Sequence, residues 1–338
     1  MRWLNKNKNK NITYSRNIFI PLTNVCRNNC DYCSFKKDVT SPYAFLMKMN
    51  DIIDIFKRCK YYHIKEVLLT FGEYAEHNSI YKEWLNNIGY NSTIDYAYDV
   101  SLEAIKYGLL PHTNAGLLSY NELKKLSKVN ASMGLMLESI NSNLNVHKNS
   151  PGKDPKKRLK LIENAGKLKI PFTTGILIGI EDSNEDIILS LKKIAQLQKK
   201  YHHIQEVIIQ NYSKGEKKNT NIKEPTTEKM IQVIIQAKKI LPNDISIQIA
   251  PNLIDIKKLL KYNINDIGGI SPLTIDYINP SNKWPEISSL KKIIFENGYI
   301  LKERLTIYPK YIYKHWYSNL LKKNILILNQ SIMKRNFY

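Results

Sequence analysis

Glycine and proline are scarce, at 13 each in 338 residues, which excludes collagen-like and Pro/Gly-rich low-complexity chains. Cysteine is scarcer, at four. Three of the four fall within eight positions, so no secreted disulfide framework is indicated, and a reducing cytoplasm is the expected compartment. No run of about 18 apolar residues is present, so no membrane-spanning helix is expected. The opening Met-Arg-Trp-Leu-Asn-Lys-Asn-Lys lacks the apolar centre of a signal peptide. Acidic residues are also few: 30 Asp and Glu against 51 Lys and Arg leave a net charge of +21.

The hydrophobic fraction of 43% is ample for a core, so wholesale disorder is excluded. The charge permits an anionic partner, but its distribution argues against nucleic acid. Residues 1–16 carry five basic side chains and no acidic one, and residues 302–338 a net +7, together 12 of the 21. The remainder reads as solvated lysine in a Lys-, Asn-, Ile- and Tyr-rich composition. An RNA-binding or RNA-modifying protein is the competing class.

Short apolar runs alternate with amphipathic stretches. Strands are expected at 17–23, 66–72, 108–114, 131–138, 170–179, 204–211, 245–250 and 266–272, rich in Ile, Val, Leu and Thr as buried parallel strands are. Helical patterns fill 51–61, 120–129, 154–169, 183–200, 226–241, 253–262 and 285–297. Ser119 and Glu122 form a capping-box spacing. Six to eight βα units predict a TIM-type α/β barrel, complete or partial, over residues 14–304. Residues 1–13 are read as a basic tail, and 305–338 as an aromatic, basic extension that packs and then ends loosely. In a barrel, chemistry belongs at the C-terminal ends of strands.

The sharpest feature is Cys26-Arg-Asn-Asn-Cys30-Asp-Tyr-Cys33, directly after the first strand. Three thiolates on one short loop can hold three irons of a [4Fe–4S] cube and leave the fourth open. The competing reading is zinc on Cys30, Cys33, Cys59 and His63. That set leaves Cys26 over and takes Cys59 from an apolar helical stripe.

CxxxCxxC with an aromatic, Tyr32, before the third cysteine resembles the radical S-adenosylmethionine superfamily. That resemblance implies S-adenosylmethionine on the open iron and an external electron donor. It also implies a 5′-deoxyadenosyl radical that abstracts hydrogen from substrate. The metal ligands implied are Cys26, Cys30 and Cys33. The cofactor-binding residues implied are Tyr32, Gly72, Glu73, Glu138, Arg158, Gly175 and Gly179. Relatives carry Gly-Glu where this chain has Glu181-Asp182, and commonly Pro at Ala115. His112, Asn114, Gln210 and Asn211 end the third and sixth strands with polar groups suited to a heterocycle with amide-like edges, and are the substrate-facing candidates. His147 is a further loop histidine over the same face.

Longer strings, among them 14–23, 130–139, 150–153, 171–180 and 203–211, resemble the family of cyclising deazaflavin synthases. This implies ring closure and ammonia loss from 5-amino-5-(4-hydroxybenzyl)-6-(D-ribitylimino)-5,6-dihydrouracil. A sibling subunit that attaches the hydroxybenzyl group is the implied partner, and that subunit's reaction is the nearest alternative.

Overall fold

The computed structural model describes residues 10–215 and 222–337. Nine strands run through the described residues: β1 (Lys10–Ile20), β2 (Glu66–Thr70), β3 (Leu110–Asn114), β4 (Ser132–Gly134), β5 (Phe172–Ile178), β6 (Ile204–Asn211), β7 (Ser246–Gln248), β8 (Asp266–Ile270) and β9 (Tyr299–Glu303). All pair in parallel in the order β2 to β8, then β1 and β9, and β1 also pairs with β2. The first eight strands therefore close a barrel, as the alternation predicts. β5 is buried along its whole length, as a strand covered on both faces must be.

The helices are α1 (Met49–Cys59), α2 (Ser79–Asn87), α3 (Thr93–Lys106), α4 (Tyr120–Leu126), α5 (Pro155–Lys167), α6 (Asn184–Tyr201), α7 (Thr227–Ile240), α8 (Ile287–Glu296), α9 (Pro309–Tyr313) and α10 (Asn319–Phe337). Sequence signals fix several starts. The Ser119 hydroxyl accepts from the Glu122 amide at 3.3 Å while the Glu122 carboxylate accepts from the Ser119 amide at 2.7 Å, completing the capping box of α4. Asp154 caps α5 and Pro155 occupies its first turn.

Two expectations change. β1 begins at Lys10, so residues 10–13 of the expected tail are strand; residues 1–9 lie outside the described residues. Lys10–Tyr14 pairs with Tyr299–Glu303 of β9, and Asn17–Ile20 pairs with β2. The helix expected at 253–262 is instead two short 3₁₀ turns, with Asn263 left-handed at φ 61°. The segment after Arg304 packs as far as Ile332; the burial of residues 336–338 lies outside the description. Ile307, Tyr311, Leu321, Ile325 and Ile332 are buried with Leu110 and Ala131, the residues that open β3 and precede β4. This extension seals the N-terminal end of the barrel.

Beneath that seal lies a charged layer. Buried Arg304 reaches Asp266 through Nε (2.6 Å) and Glu206 through Nη2 (2.8 Å). The Tyr308 hydroxyl donates to Glu206 at 3.0 Å. Burial pushes the nearby Glu66 carboxyl up to about 7, although Arg304 opposes the rise. Placing this layer at the closed end leaves the opposite end for a site.

Candidate active site

At the C-terminal ends of the strands a single cavity is lined by Cys26, Cys30 and Cys33 together with residues following β2, β3, β4, β6 and β8. All three thiols are free of disulfides. Cys26 Sγ accepts the backbone N–H of Asn28 at 3.4 Å and of Glu73 at 3.3 Å. Burial pushes the Cys26 and Cys30 thiols up, so a metal that binds them as thiolates must displace protons. The zinc set does not assemble. Cys59 lies buried in α1, where its thiol donates to the Ile55 carbonyl at 3.4 Å. His63 is exposed at the end of the 3₁₀ turn after α1, in contact with Arg335.

Gly72 and Glu73 join the loop after β2 to the cysteine loop. A Cβ on Gly72 would fall 1.8 Å from the Val25 carbonyl oxygen, so only glycine lets the two backbones meet. Glu73 is buried, and its carboxylate accepts from Arg27 Nε at 2.8 Å and from the Leu117 amide at 2.8 Å. An arginine and a backbone N–H thus hold the carboxylate that the family resemblance assigns to cofactor binding.

Glu138 follows β4 in a left-handed conformation, φ 66°, which turns its side chain into the cavity. It accepts from Lys153, from Arg158 Nη1 at 3.3 Å and from the Tyr32 hydroxyl, and His147 Nε2 lies 3.2 Å away. Burial raises this carboxyl, but Lys153 and Arg158 outweigh burial and hold it well below the usual carboxylate range. Two cations around one carboxylate leave an excess positive charge at the cavity wall. That wall is suited to a further anionic group.

Asn114 and Gln210 line the same cavity, and among the described residues no hydrogen bond engages either side chain. Asn211 also lines it, with its amide donating to the Leu253 carbonyl at 3.1 Å. His112 does not face the cavity. It points into the barrel interior, 2.7 Å from Ser132 Oγ, and burial with Arg304 nearby lowers its pKa to about 3. Gly175 is a close-packing residue: a Cβ there would meet the Ile208 carbonyl at 2.3 Å and the Met136 side chain at 2.8 Å. Gly179, at φ +93°, sits outside the cavity against Pro225, and its amide donates to Asp182 Oδ1 at 3.1 Å. Lys153 and Arg27 lie in strings quoted from the sequence, yet only contact with buried carboxylates reveals their part.

Residues 20–194 match the radical SAM superfamily. The chain is 50% identical over 309 residues to the 7,8-didemethyl-8-hydroxy-5-deazariboflavin synthase of Methanosarcina barkeri, covering 91% of this chain and 94% of that protein. The synthase of the same name from Methanocaldococcus jannaschii is 49% identical over 326 residues, with coverage of 94% and 90%. The chain belongs to the radical SAM superfamily, in its deazariboflavin synthase family.

Solved structures agree on the fold. The [FeFe]-hydrogenase maturase HydG from Carboxydothermus hydrogenoformans superposes with a TM-score of 0.69 at 16% identity, covering 96% of this chain and 79% of that one. Methylornithine synthase gives 0.63 at 18% identity, with coverage of 86% and 83%. For a radical SAM enzyme the donor set fits. Three thiols outside any disulfide share one cavity wall, one of them with two N–H donors, beside a wall carrying excess positive charge. Among the described residues no three His, Cys, Asp or Glu side chains converge on one metal ion. A cube spreads its thiolates further apart than a single ion does.

Proposed function

We propose that this chain closes the deazaflavin ring: it converts 5-amino-5-(4-hydroxybenzyl)-6-(D-ribitylimino)-5,6-dihydrouracil into 7,8-didemethyl-8-hydroxy-5-deazariboflavin, with loss of ammonia and of two hydrogens, S-adenosylmethionine being consumed as the two-electron oxidant to give 5′-deoxyadenosine and methionine. Half-identity to synthases of that name along nearly the whole chain carries the reading. Bound at the cavity, a [4Fe–4S] cluster and S-adenosylmethionine supply an electron and a hydrogen-abstracting 5′-deoxyadenosyl radical.

The chain's own residues then divide the work. Cys26, Cys30 and Cys33 hold the cluster. Lys153 and Arg158 offer the excess cation to a carboxylate, and Glu138 accepts from hydroxyls while Tyr32 closes over it. Asn114 and Gln210 present free amides to the edges of a uracil ring. Leu135, Met136 and Leu177 keep that face dry, which protects a radical from side reactions. An external one-electron donor, and a sibling subunit delivering the hydroxybenzyl adduct, complete the reaction in a reducing compartment.

Anaerobic turnover of the preformed adduct with S-adenosylmethionine and a chemical reductant tests this, read by the fluorescence of the deazaflavin. The wild-type protein is expected to carry iron and sulfide near about four each per chain. Cys30→Ser is expected to lose the cluster spectrum and turnover together. Consumption of tyrosine and diaminouracil with the adduct left untouched would assign the sibling reaction and overturn the reading.

A further inference from the structure

Between the first two cysteines the chain places Arg27, whose surroundings tie the cysteine loop to β2. Its Nε and Nη2 stand 2.8 and 2.7 Å from Glu73 Oε1. Its guanidinium lies 4.4 Å over the Tyr74 ring, and the Tyr74 hydroxyl donates to Glu122 at 3.1 Å. The backbones are joined as well: the Arg27 amide donates to the Glu73 carbonyl at 3.0 Å, and the Glu73 amide donates to Cys26 Sγ at 3.3 Å. The Glu73 carboxylate has nowhere else to go. Cβ atoms on Gly116 and Gly152 would fall 2.4 and 2.0 Å from its oxygens.

We propose that Arg27 is a positioning residue for the cluster. By clamping Glu73 it fixes the N–H that Glu73 donates to the Cys26 sulfur. The inference rests on the reading above that Cys26 is a cluster ligand. An N–H bond to a ligand sulfur, and a cation close by, both favour the more negative, reduced cluster and so raise its reduction potential. Alanine at 27 removes both the fork and the charge. Lysine keeps the charge but cannot make the paired, stacked contact.

The test compares wild type, Arg27→Ala and Arg27→Lys after anaerobic reconstitution, without S-adenosylmethionine or substrate. Iron and sulfide are counted, and the potential is read by redox titration monitored with electron paramagnetic resonance. Both variants are expected to shift to more negative potential, alanine further than lysine. Variants that load normally and titrate at the wild-type potential overturn the inference. Should neither variant load, alkylation of Cys26 in the cluster-free protein decides. Loss of the fixed N–H donor and of the nearby cation disfavours the reactive thiolate and is expected to slow it several-fold, and an unchanged rate overturns the inference. Failure of the wild type itself to hold a cluster removes the functional reading, while the alkylation rates still report on the clamp.

Discussion

At the scale of single residues, His112 shows how burial separates two roles that a sequence leaves joined. A histidine ending a strand in a βα barrel can face substrate, but this one stops two residues short of the rim and hydrogen-bonds Ser132. Its pKa of about 3 lies below the ordinary 6.5 because the imidazolium cannot be solvated there and Arg304 is close. Above pH 6.5 it is neutral folded or unfolded and contributes nothing. As pH falls below 6.5 the unfolded chain takes up the proton and the native one does not, so stability is lost. Between pH 6.5 and 5 that loss is about 2 kcal/mol. His112→Gln is expected to flatten the decline of Tm over this interval. Parallel Tm–pH curves for the two proteins would contradict the assignment.

At the scale of elements, the sequence showed most of the barrel and missed its fastenings. β6 and the start of α4 stand where the apolar run and the capping box put them. α2 and α3 escaped; the face α3 buries mixes Ile94 and Val100 with Thr93, Tyr96, Ala97, Ser101 and Ala104, so small and polar side chains dilute its apolar stripe. The first half of β1 reads as a Lys- and Asn-rich tail, since only its pairing with β9 makes it a strand. The site divides the same way. The cysteines announce themselves by spacing, whereas Lys153, Arg27 and the loss of His112 depend on which side chains meet across loops. Glycine spacing on β5 was legible, but its purpose is packing. Gly175→Ala is expected to cost about 1–3 kcal/mol of stability in denaturant titration, because the Ile208 carbonyl and Met136 cannot both retreat. A neutral substitution would show that β5 and β6 are less constrained than their contact implies.

At the scale of the whole molecule, the chain separates charge from chemistry. The +21 excess lies largely at the two ends of the sequence, while buried charges are paired inside the fold: Glu138 with its cations and Glu73 with Arg27 at the open end, Arg304 with its acids at the sealed end, and Lys65 with Glu303. No helix among the described residues is long and apolar enough to cross a membrane. Removing one partner of a buried ion cluster strands the others. Arg304→Met is therefore expected to destabilise by about 3–5 kcal/mol, read as a lower denaturation midpoint. An unchanged midpoint would mean that the Arg304 pairs contribute nothing measurable to stability.

β1 borders β2, β8 and β9 at once, so the first strand of the chain waits for nearly the last. During synthesis the cysteine loop leaves the ribosome early, yet the Glu73 amide that meets Cys26 and the Ser150 hydroxyl that meets the Asn29 amide follow only later. Until β8 and β9 emerge, one flank of β1 is an open sheet edge, prone to pairing with other chains. Long-range closure of this kind is slow. A chain of this topology therefore leaves its cysteine loop without those partners, and one strand edge uncovered, until its last strands emerge.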